Sequence, residues 1–310
     1  MAFHIPPGAM SSLNSPGTRG LIFGLTAAVF YGLIPTFTLP ICGEMGQDNP
    51  NAMTTMSILF YRFMIASVIM AGLMLIKRRS FRISRGEIVT LMYLAFLSDG
   101  AAMFLLAGYP YMSSGVATTL HFMYPVLTAV LMMLYYNESR RPASIMAVVM
   151  AVGGVAVLSW PTEGSQVAFR GVVLELISAA CFALYLIRVN RSRVANMEGL
   201  KLTFYIVFFG ALIFGAEAFR QESFQLITTP TQAADLVLLG LLCTVVTNLS
   251  LVISVKNIGS TMTAVLGSME PLTAVIMGAI FFGEAITWNI ILGFFLIIPA
   301  VIIVIMTRNR

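Results

Sequence analysis

The stretch HFMYPVLTAVLMMLYYNE (His121–Glu138) returns in altered form as GSMEPLTAVIMGAIFFGE (Gly267–Glu284). An offset of 146 residues lays Met123 on Met269, Pro125 on Pro271 and Glu138 on Glu284, and outward from these Ser114 on Ser260 and Ile145 on Ile291. Both copies are almost wholly apolar, so neither suits a helix or strand with one wet face. The second copy also sets Glu270 beside its proline, in the middle of an apolar run.

The rest of the chain has the same character. Of 310 residues 58% are hydrophobic and only 10% charged, whereas a soluble domain carries roughly a quarter charged residues. This composition excludes an ordinary soluble enzyme and predicts an all-α integral membrane protein. A helix crossing the hydrocarbon needs about 20 residues, because its backbone groups must bond within the segment. Ten stretches qualify: Gly20–Pro40, Asn51–Ile76, Glu87–Gly108, Ser113–Tyr136, Ala143–Ser159, Arg170–Val189, Leu200–Phe219, Ala234–Val255, Thr261–Phe282 and Trp288–Thr307.

Charge orients them. With the N-terminus inside, fifteen of the eighteen Lys and Arg residues fall in inner connections, among them Lys77, Arg78, Arg79, Arg82, Arg85, Arg140, Arg141, Arg188, Arg191 and Arg193. Only Arg170 and Arg220 fall outside, and Arg62 lies within the second span. Lys and Arg bias sets topology, so both termini are expected in the cytoplasm, with Trp160 and Trp288 at the outer interface. The net charge of +5 is therefore a topology signal, and no nucleic-acid partner is expected. Residues 1–19, without a basic run ahead of an apolar one, suggest a flexible cytoplasmic tail.

The repeat places the fourth span on the ninth and the fifth on the tenth. Five crossings per half make the second half enter from the opposite side, giving two inverted five-helix repeats, 20–160 and 161–310. Arg140 and Arg141 follow Glu138, whereas Ala285, Ile286 and Thr287 follow Glu284, as opposite orientation requires. Inverted repeats allow a site between the halves to open alternately to each side, which favours a secondary transporter over a membrane enzyme.

NIGSTMTAVLGSMEPLTAVIMGAIFFGE (Asn257–Glu284) resembles the signature of EamA-type members of the drug/metabolite transporter superfamily. YMSSGVATTLHFMYPVLTAVLMMLYYNE (Tyr111–Glu138), AAVFYGLIPTF (Ala27–Phe37) and YRFMIA (Tyr61–Ala66) are similar to the matching parts of that family. The resemblance covers nearly the whole chain from Gly20. It implies ten helices and a central cavity lined mainly by spans 1, 3, 4, 6, 8 and 9. It also implies transport of small metabolites, often amino acids and often outward, without an ATP-binding domain or a cofactor. The expected location is a bacterial cytoplasmic (inner) membrane. The halves differ where Tyr124 and Asn137 replace Glu270 and Gly283.

Charged side chains within a bilayer cost a few kcal/mol and mark partners or cavities. Arg62 and Asp99 lie at matching depth and are expected to form a structural ion pair, with substrate contact by Asp99 the sharper alternative. Glu270 beside Pro271 is the candidate binder of a substrate ammonium group or a coupling proton. Pro125 and Pro271 should kink their helices, because proline removes a backbone donor. His121 is either a hydrogen-bonded structural histidine or a proton relay. Tyr31, Tyr124, Tyr185 and Asn248 are candidate cavity-wall donors and acceptors, and Glu175 is a candidate gate that could bind Arg170. Glu138 and Glu284 suit helix ends. Gly20, Gly24, Ala28 and Gly32 form a stripe that permits close helix approach. With two histidines and three scattered cysteines, no metal site is expected.

The reading is a secondary carrier, with export the expected direction, for small amphipathic metabolites such as amino acids. A same-fold carrier of nucleotide-type or lipid-linked cargo would need several cavity cations, and only Arg62 is available. An intramembrane enzyme lacks paired aspartates or a GxSxG motif. Cysteines introduced near Asp48 and Glu163 should react with an impermeant reagent applied outside, and cysteines near Arg79 or Arg193 should not. The reverse labelling would overturn the topology.

Overall fold

The computed structural model describes residues 15–42, 52–108, 111, 120–135, 142–158, 169–282 and 288–308, and all regular structure among them is helical. Trp160, Glu138, Glu284, Arg140 and Arg141 lie outside the described residues, as does most of the expected tail. The first helix starts before Gly20: α1 runs Pro16–Gly32, its end capped by the Ser15 hydroxyl, which accepts from Thr18 N–H at 3.2 Å. Pro16 sits in the first turn, where its missing N–H has no intrahelical role.

After a turn at Leu33 the chain continues as α2 (Ile34–Cys42), then α3 (Thr55–Ile76), α4 (Arg85–Gly108), α5 (Tyr124–Tyr135) and α6 (Pro142–Leu158). The second half contains α7 (Phe169–Arg191), α8 (Gly199–Arg220), α9 (Pro230–Gly240), a π-helical segment (Leu241–Val246) and α10 (Thr247–Ile258). It ends with α11 (Ser260–Leu266), α12 (Met269–Phe282) and α13 (Trp288–Arg308). Among the described residues six helical runs are long and apolar enough to cross a membrane: Pro16–Thr38, Thr55–Ile76, Arg85–Leu105, Phe169–Arg191, Gly199–Arg220 and Pro230–Ile258. Large apolar side chains such as Val68, Phe96, Val149 and Phe295 point outward. That is costly in water and natural against lipid tails, which are as apolar as leucine.

Four helix pairs make the broadest contacts: α6 with α13, α3 with α8, α1 with α10, and α4 with α7. The α3–α8 pair is fastened at both ends. At one end Gln225 N–H donates to the Ser57 hydroxyl (2.9 Å), while the Tyr61 hydroxyl donates to Gln225 O (3.1 Å) and that of Thr54 to Ser223 O (2.7 Å). At the other end, which carries the basic connections, the Tyr205 hydroxyl donates to Phe81 O and Lys201 to Arg82 O. Arg79 pairs there with Glu198 at 3.1 Å. α3 is thereby held along its whole length, and with it the residues at its middle.

The glycine stripe on α1 lies against α10, α11 and α12. A Cβ at Gly24 would fall 2.7 Å from Leu266 Cδ1 and 2.8 Å from Ser254 Oγ, and one at Gly32 2.6 Å from Glu270 O. Gly20 is similarly closed in by Ile258 and Asn257. Nothing but hydrogen fits at these positions. Gly24→Val should therefore lower the thermal stability of the purified protein by about 1–3 kcal/mol, the usual cost of overpacking. Gly72→Ala, where nothing lies within 4 Å of the added methyl, should leave stability unchanged or slightly raised, since glycine in a helix costs roughly 0.5–1 kcal/mol relative to alanine. Equal losses in thermal-melt assays would show that α1 is not packed in this way.

Candidate functional site

Four interruptions of regular α-helix occur near the middle of the bundle. Three precede prolines: the turn at Leu33 before Pro35, that at Phe122–Met123 before Pro125, and that at Gly267–Ser268 before Pro271. Under the 146-residue offset the last two fall within one residue of each other. Hydrogen bonds there tighten to three-residue spacing, with Met123 N–H donating to Leu120 O (3.1 Å), Ser268 N–H to Val265 O (3.1 Å) and Glu270 N–H to Gly267 O (2.9 Å). The last bond matters because Pro271 has no N–H to offer Gly267 O.

The fourth interruption is the π-helical segment between α9 and α10, which has no proline. Its wider turn loosens carbonyls, and side chains cover them. Thr244 and Thr247 hydroxyls donate five residues back, to Leu239 O and Leu242 O (both 3.0 Å). Asn248 Nδ2 donates to Thr244 O at 3.0 Å. Arg62, from the middle of α3, completes the set: its Nε donates to Thr244 Oγ1 at 2.7 Å and its Nη2 to Cys243 O at 2.9 Å. Of the five guanidinium N–H groups, three remain uncommitted by these bonds.

These interruptions border one cavity of about 160 Å³. Its polar lining is Tyr31, Thr38, Thr55, Arg62, Ser98, His121, Asn248 and Glu270, and Ile58, Leu59, Phe63, Leu105 and Phe182 make much of the apolar wall. The lining runs from mid-bundle to Thr38, Thr55 and Leu105, toward the end opposite the basic connections. Among the lining residues, to which His121 adds an imidazole, Arg62 is the one guanidinium and Glu270 the one carboxylic acid. Tyr31 lies within electrostatic reach of both, and no ion pair joins the two. The cavity thus has a guanidinium and a carboxyl group presented by different helices, α3 and α12. Span 2 is a wall that the family resemblance did not imply.

Of the sequence candidates, Glu270, His121, Tyr31 and Asn248 meet at this cavity. His121 Nδ1 lies 2.8 Å from Ser178 Oγ, which donates its only proton to Ala101 O at 2.6 Å. Nδ1 must then carry the hydrogen, leaving Nε2 as the ring atom available to the cavity. Tyr124 does not line it. It packs on Gly267 and, with Glu270, borders a much smaller void toward the basic end. Tyr31, Tyr124, Phe182 and His121 form an aromatic cluster at this level, with Tyr124 and Phe182 ring centroids 4.7 Å apart. Tyr185 is buried beside Phe182, and its hydroxyl has no hydrogen-bond partner.

Two expected pairings are corrected. Arg62 and Asp99 are not ion-paired: the guanidinium turns to Thr244 and Cys243 O, whereas Asp99 is buried with neither oxygen hydrogen-bonded. Depth along two helices fixed their level in the bundle but not the faces they occupy. Glu175 does not bind Arg170, whose guanidinium lies over the Tyr111 ring at 5.3 Å. Glu175 is buried with both oxygens unpartnered. The residues missed in the sequence, Thr38, Thr55, Ser98 and Phe182, carry no charge and follow no motif. Among the described residues no three His, Cys, Asp or Glu side chains gather as a metal site would require.

A family model described as the EamA-like transporter family matches the chain twice, over residues 18–160 and 169–306. An uncharacterized transporter of Bacillus subtilis, YvbV, is 29% identical over 204 residues, a match covering 64% of this chain and 65% of that protein. The chain therefore aligns with just under two thirds of that relative. An uncharacterized transporter of Clostridium kluyveri is 21% identical over 295 residues, covering 92% of each. A solved crystal structure superposes with a TM-score of 0.79 at 14% identity, over 94% of this chain and 99% of the other, which is a likeness of fold.

Because Arg62 and Asp99 share no bond, the stability losses of Arg62→Met and Asp99→Asn should add to within about 0.5 kcal/mol in a double-mutant cycle. Arg62→Met alone should cost roughly 1–3 kcal/mol, since it leaves Cys243 O without its side-chain donor. A coupling well above that margin in thermal melts would restore the direct pair.

Proposed function

The chain belongs to the EamA-like transporter family, and from that premise we propose that it is a secondary carrier of small zwitterionic metabolites with apolar bodies, amino-acid-like compounds first among them. The observation that carries this reading is the Arg62 guanidinium and the Glu270 carboxyl group, presented by different helices to one largely apolar cavity and not bonded to each other. Arg62, with three N–H groups uncommitted, takes the substrate carboxylate, and Glu270 takes its ammonium group. Tyr31, Asn248 and His121 hydrogen-bond between them. One cation does not suit nucleotide-type or other multiply anionic cargo, which would bring uncompensated charge into the membrane.

In this reading ten crossings form two inverted repeats, 20–160 and 161–310, with both termini cytoplasmic in a bacterial inner membrane. The pattern of contacts supports it. If α1–α2 corresponds to α7, α3 to α8, α4 to α9–α10, α5 to α11–α12 and α6 to α13, exchanging the halves carries the contact α1–α10 into α4–α7. The same exchange carries α1–α12 into α5–α7 and returns α3–α8 and α6–α13 to themselves. The cavity mouth then faces outward. The glycine-packed seam of α1 and the aromatic cluster around Tyr124 and Phe182 close the inner side. Alternating access would exchange open and closed ends, with export the expected direction.

The test uses purified full-length protein in proteoliposomes and three labelled probes sharing one apolar body: L-phenylalanine, phenethylamine and 3-phenylpropionate. Counterflow should be fastest for L-phenylalanine. Arg62→Gln should remove the advantage over phenethylamine and Glu270→Gln the advantage over 3-phenylpropionate, each by roughly 10- to 100-fold, the worth of a charged hydrogen bond of about 1.5–3 kcal/mol. Unchanged ranking of the three probes in both variants would sink the reading.

A further inference from the structure

The cavity lining has two chemically distinct parts. Arg62 and Glu270 come from α3 and α12, and neither helix makes a broad contact with α4 or α7. Those two helices supply Ser98, Ala101, Ala102 and Leu105 on α4 and Phe182 on α7, a stretch without a charge. Asp99, one position on from Ser98, turns away. It faces the bare backbone of α8, where a Cβ at Gly210 would lie 2.9 Å from each of its oxygens. Glu175 of α7 is buried and takes no part in the lining.

His121 joins this uncharged stretch. It is the last residue before the turn at Phe122–Met123, and its ring packs near that of Phe182, with centroids 5.7 Å apart. Nδ1 lies 2.8 Å from Ser178 Oγ on α7, and Ser178 gives its proton to Ala101 O on α4 at 2.6 Å. A serine hydroxyl has one hydrogen, so Nδ1 is the donor to Ser178. The ring forms no ion pair among the described residues, and an unpaired imidazolium among apolar side chains is costly. The histidine is thus held as one neutral tautomer, with its lone pair at Nε2. Nε2 has no hydrogen-bond partner among the described residues, yet it is not sealed in as the Tyr185 hydroxyl is. It is open to the cavity. The hydroxyls of Tyr31, Thr38, Thr55 and Ser98 can each turn to donate or accept, whereas Nε2 can only accept.

We propose that His121 Nε2 selects substrates whose apolar body carries a hydrogen-bond donor, an O–H or N–H group set apart from the charged ends. This rests on the reading of the chain as a carrier of zwitterions and extends it from the ends of the substrate to its body. A body without a donor strips water from Nε2 and leaves the lone pair bare. A body with one replaces that water and keeps its apolar surface against Ala101, Ala102 and Phe182. A site that leaves its own polar group unpaired rejects the wrong ligand far more sharply than one that merely loses apolar contact. Ser178 is then a positioning residue, because its bond to Ala101 O is what keeps the hydrogen on Nδ1 and the acceptor on the cavity side.

Two measurements on full-length protein, purified through a tag without histidine, test this. The chain has only two histidines, His4 and His121, so nitrogen NMR with isotope-labelled histidine gives imidazole signals that His121→Asn assigns. At neutral pH His121 should show a protonated Nδ1 and a bare Nε2. A protonated Nε2 would overturn the proposal, whatever the substrate. In proteoliposomes, counterflow of L-tyrosine should exceed that of L-phenylalanine and of O-methyl-L-tyrosine by about 10-fold or more. His121→Asn keeps an amide donor toward Ser178 but has no acceptor at the Nε2 position, so this preference should disappear. Equal rates in wild type, an unchanged preference in His121→Asn, or loss of all counterflow in that variant once folded would each overturn the proposal. If none of these amino acids moves, the zwitterion reading fails and NMR decides alone: the Nε2 signal should shift with added p-cresol and not with 4-methylanisole. No shift, or equal shifts, would overturn the proposal. Should His121→Asn not fold, His121→Phe, which keeps a ring and lacks the acceptor, serves for the same comparisons.

Discussion

The structure depends on one constraint: inside a bilayer every backbone N–H and C=O needs a partner from the protein itself. Regular helix meets it automatically, and most of this chain is regular helix. The exceptions are grouped. The turns before Pro35, Pro125 and Pro271 and the π-helical segment at Leu241–Val246 all lie where Tyr31, His121, Glu270, Arg62 and Asn248 border the cavity. Irregular backbone at this depth survives because it is covered from within: by Glu270 N–H on Gly267 O, by threonine hydroxyls reaching five residues back, and by Arg62 on Cys243 O. Broken helices that line a cavity are a recurring device of transporters.

Arg62 thereby links support to chemistry. A guanidinium in an apolar interior is tolerated only when its donors are used. Two go to the π-helical segment, which needs them, and the rest are left for the cavity. Its anchor is rigid because α3 is fastened to α8 at both ends, through Gln225 on one side and Phe81 and Arg82 on the other. Glu270 is set differently, on a helix that restarts just before it, and with no ion pair to Arg62. The guanidinium and the carboxyl group are thus held out of contact with one another in one cavity.

The halves are alike in backbone and unlike in chemistry. The interruptions at Phe122–Met123 and Gly267–Ser268 match to within one residue, yet the residue before the proline is Tyr124 in one and Glu270 in the other. Tyr124 packs onto Gly267 and helps form the aromatic floor, while Glu270 faces the cavity. The same position thus serves closure in one half and polarity in the other. The two halves therefore place different side chains around the cavity at matching places in the chain.

Much of this was legible in the order of residues. Length and polarity of the apolar runs determined a helical membrane protein, because the cost of unbonded backbone in oil admits little else. The offset between Pro125 and Pro271 located two matching interruptions, and the spacing of Gly20, Gly24 and Gly32 foretold a close helix contact, since both follow from local geometry. Depth was legible as well, which brought Arg62, Asp99 and Glu270 to the same level. What tertiary structure alone decided was azimuth. Whether Arg62 turned to Asp99 or to Thr244, whether Asp99 met the cavity or Gly210, and whether span 2 formed a wall depended on how each helix was rotated about its axis. In a lipid-facing bundle that rotation leaves little trace in sequence, because outward and inward faces are both apolar and only packing between helices distinguishes them.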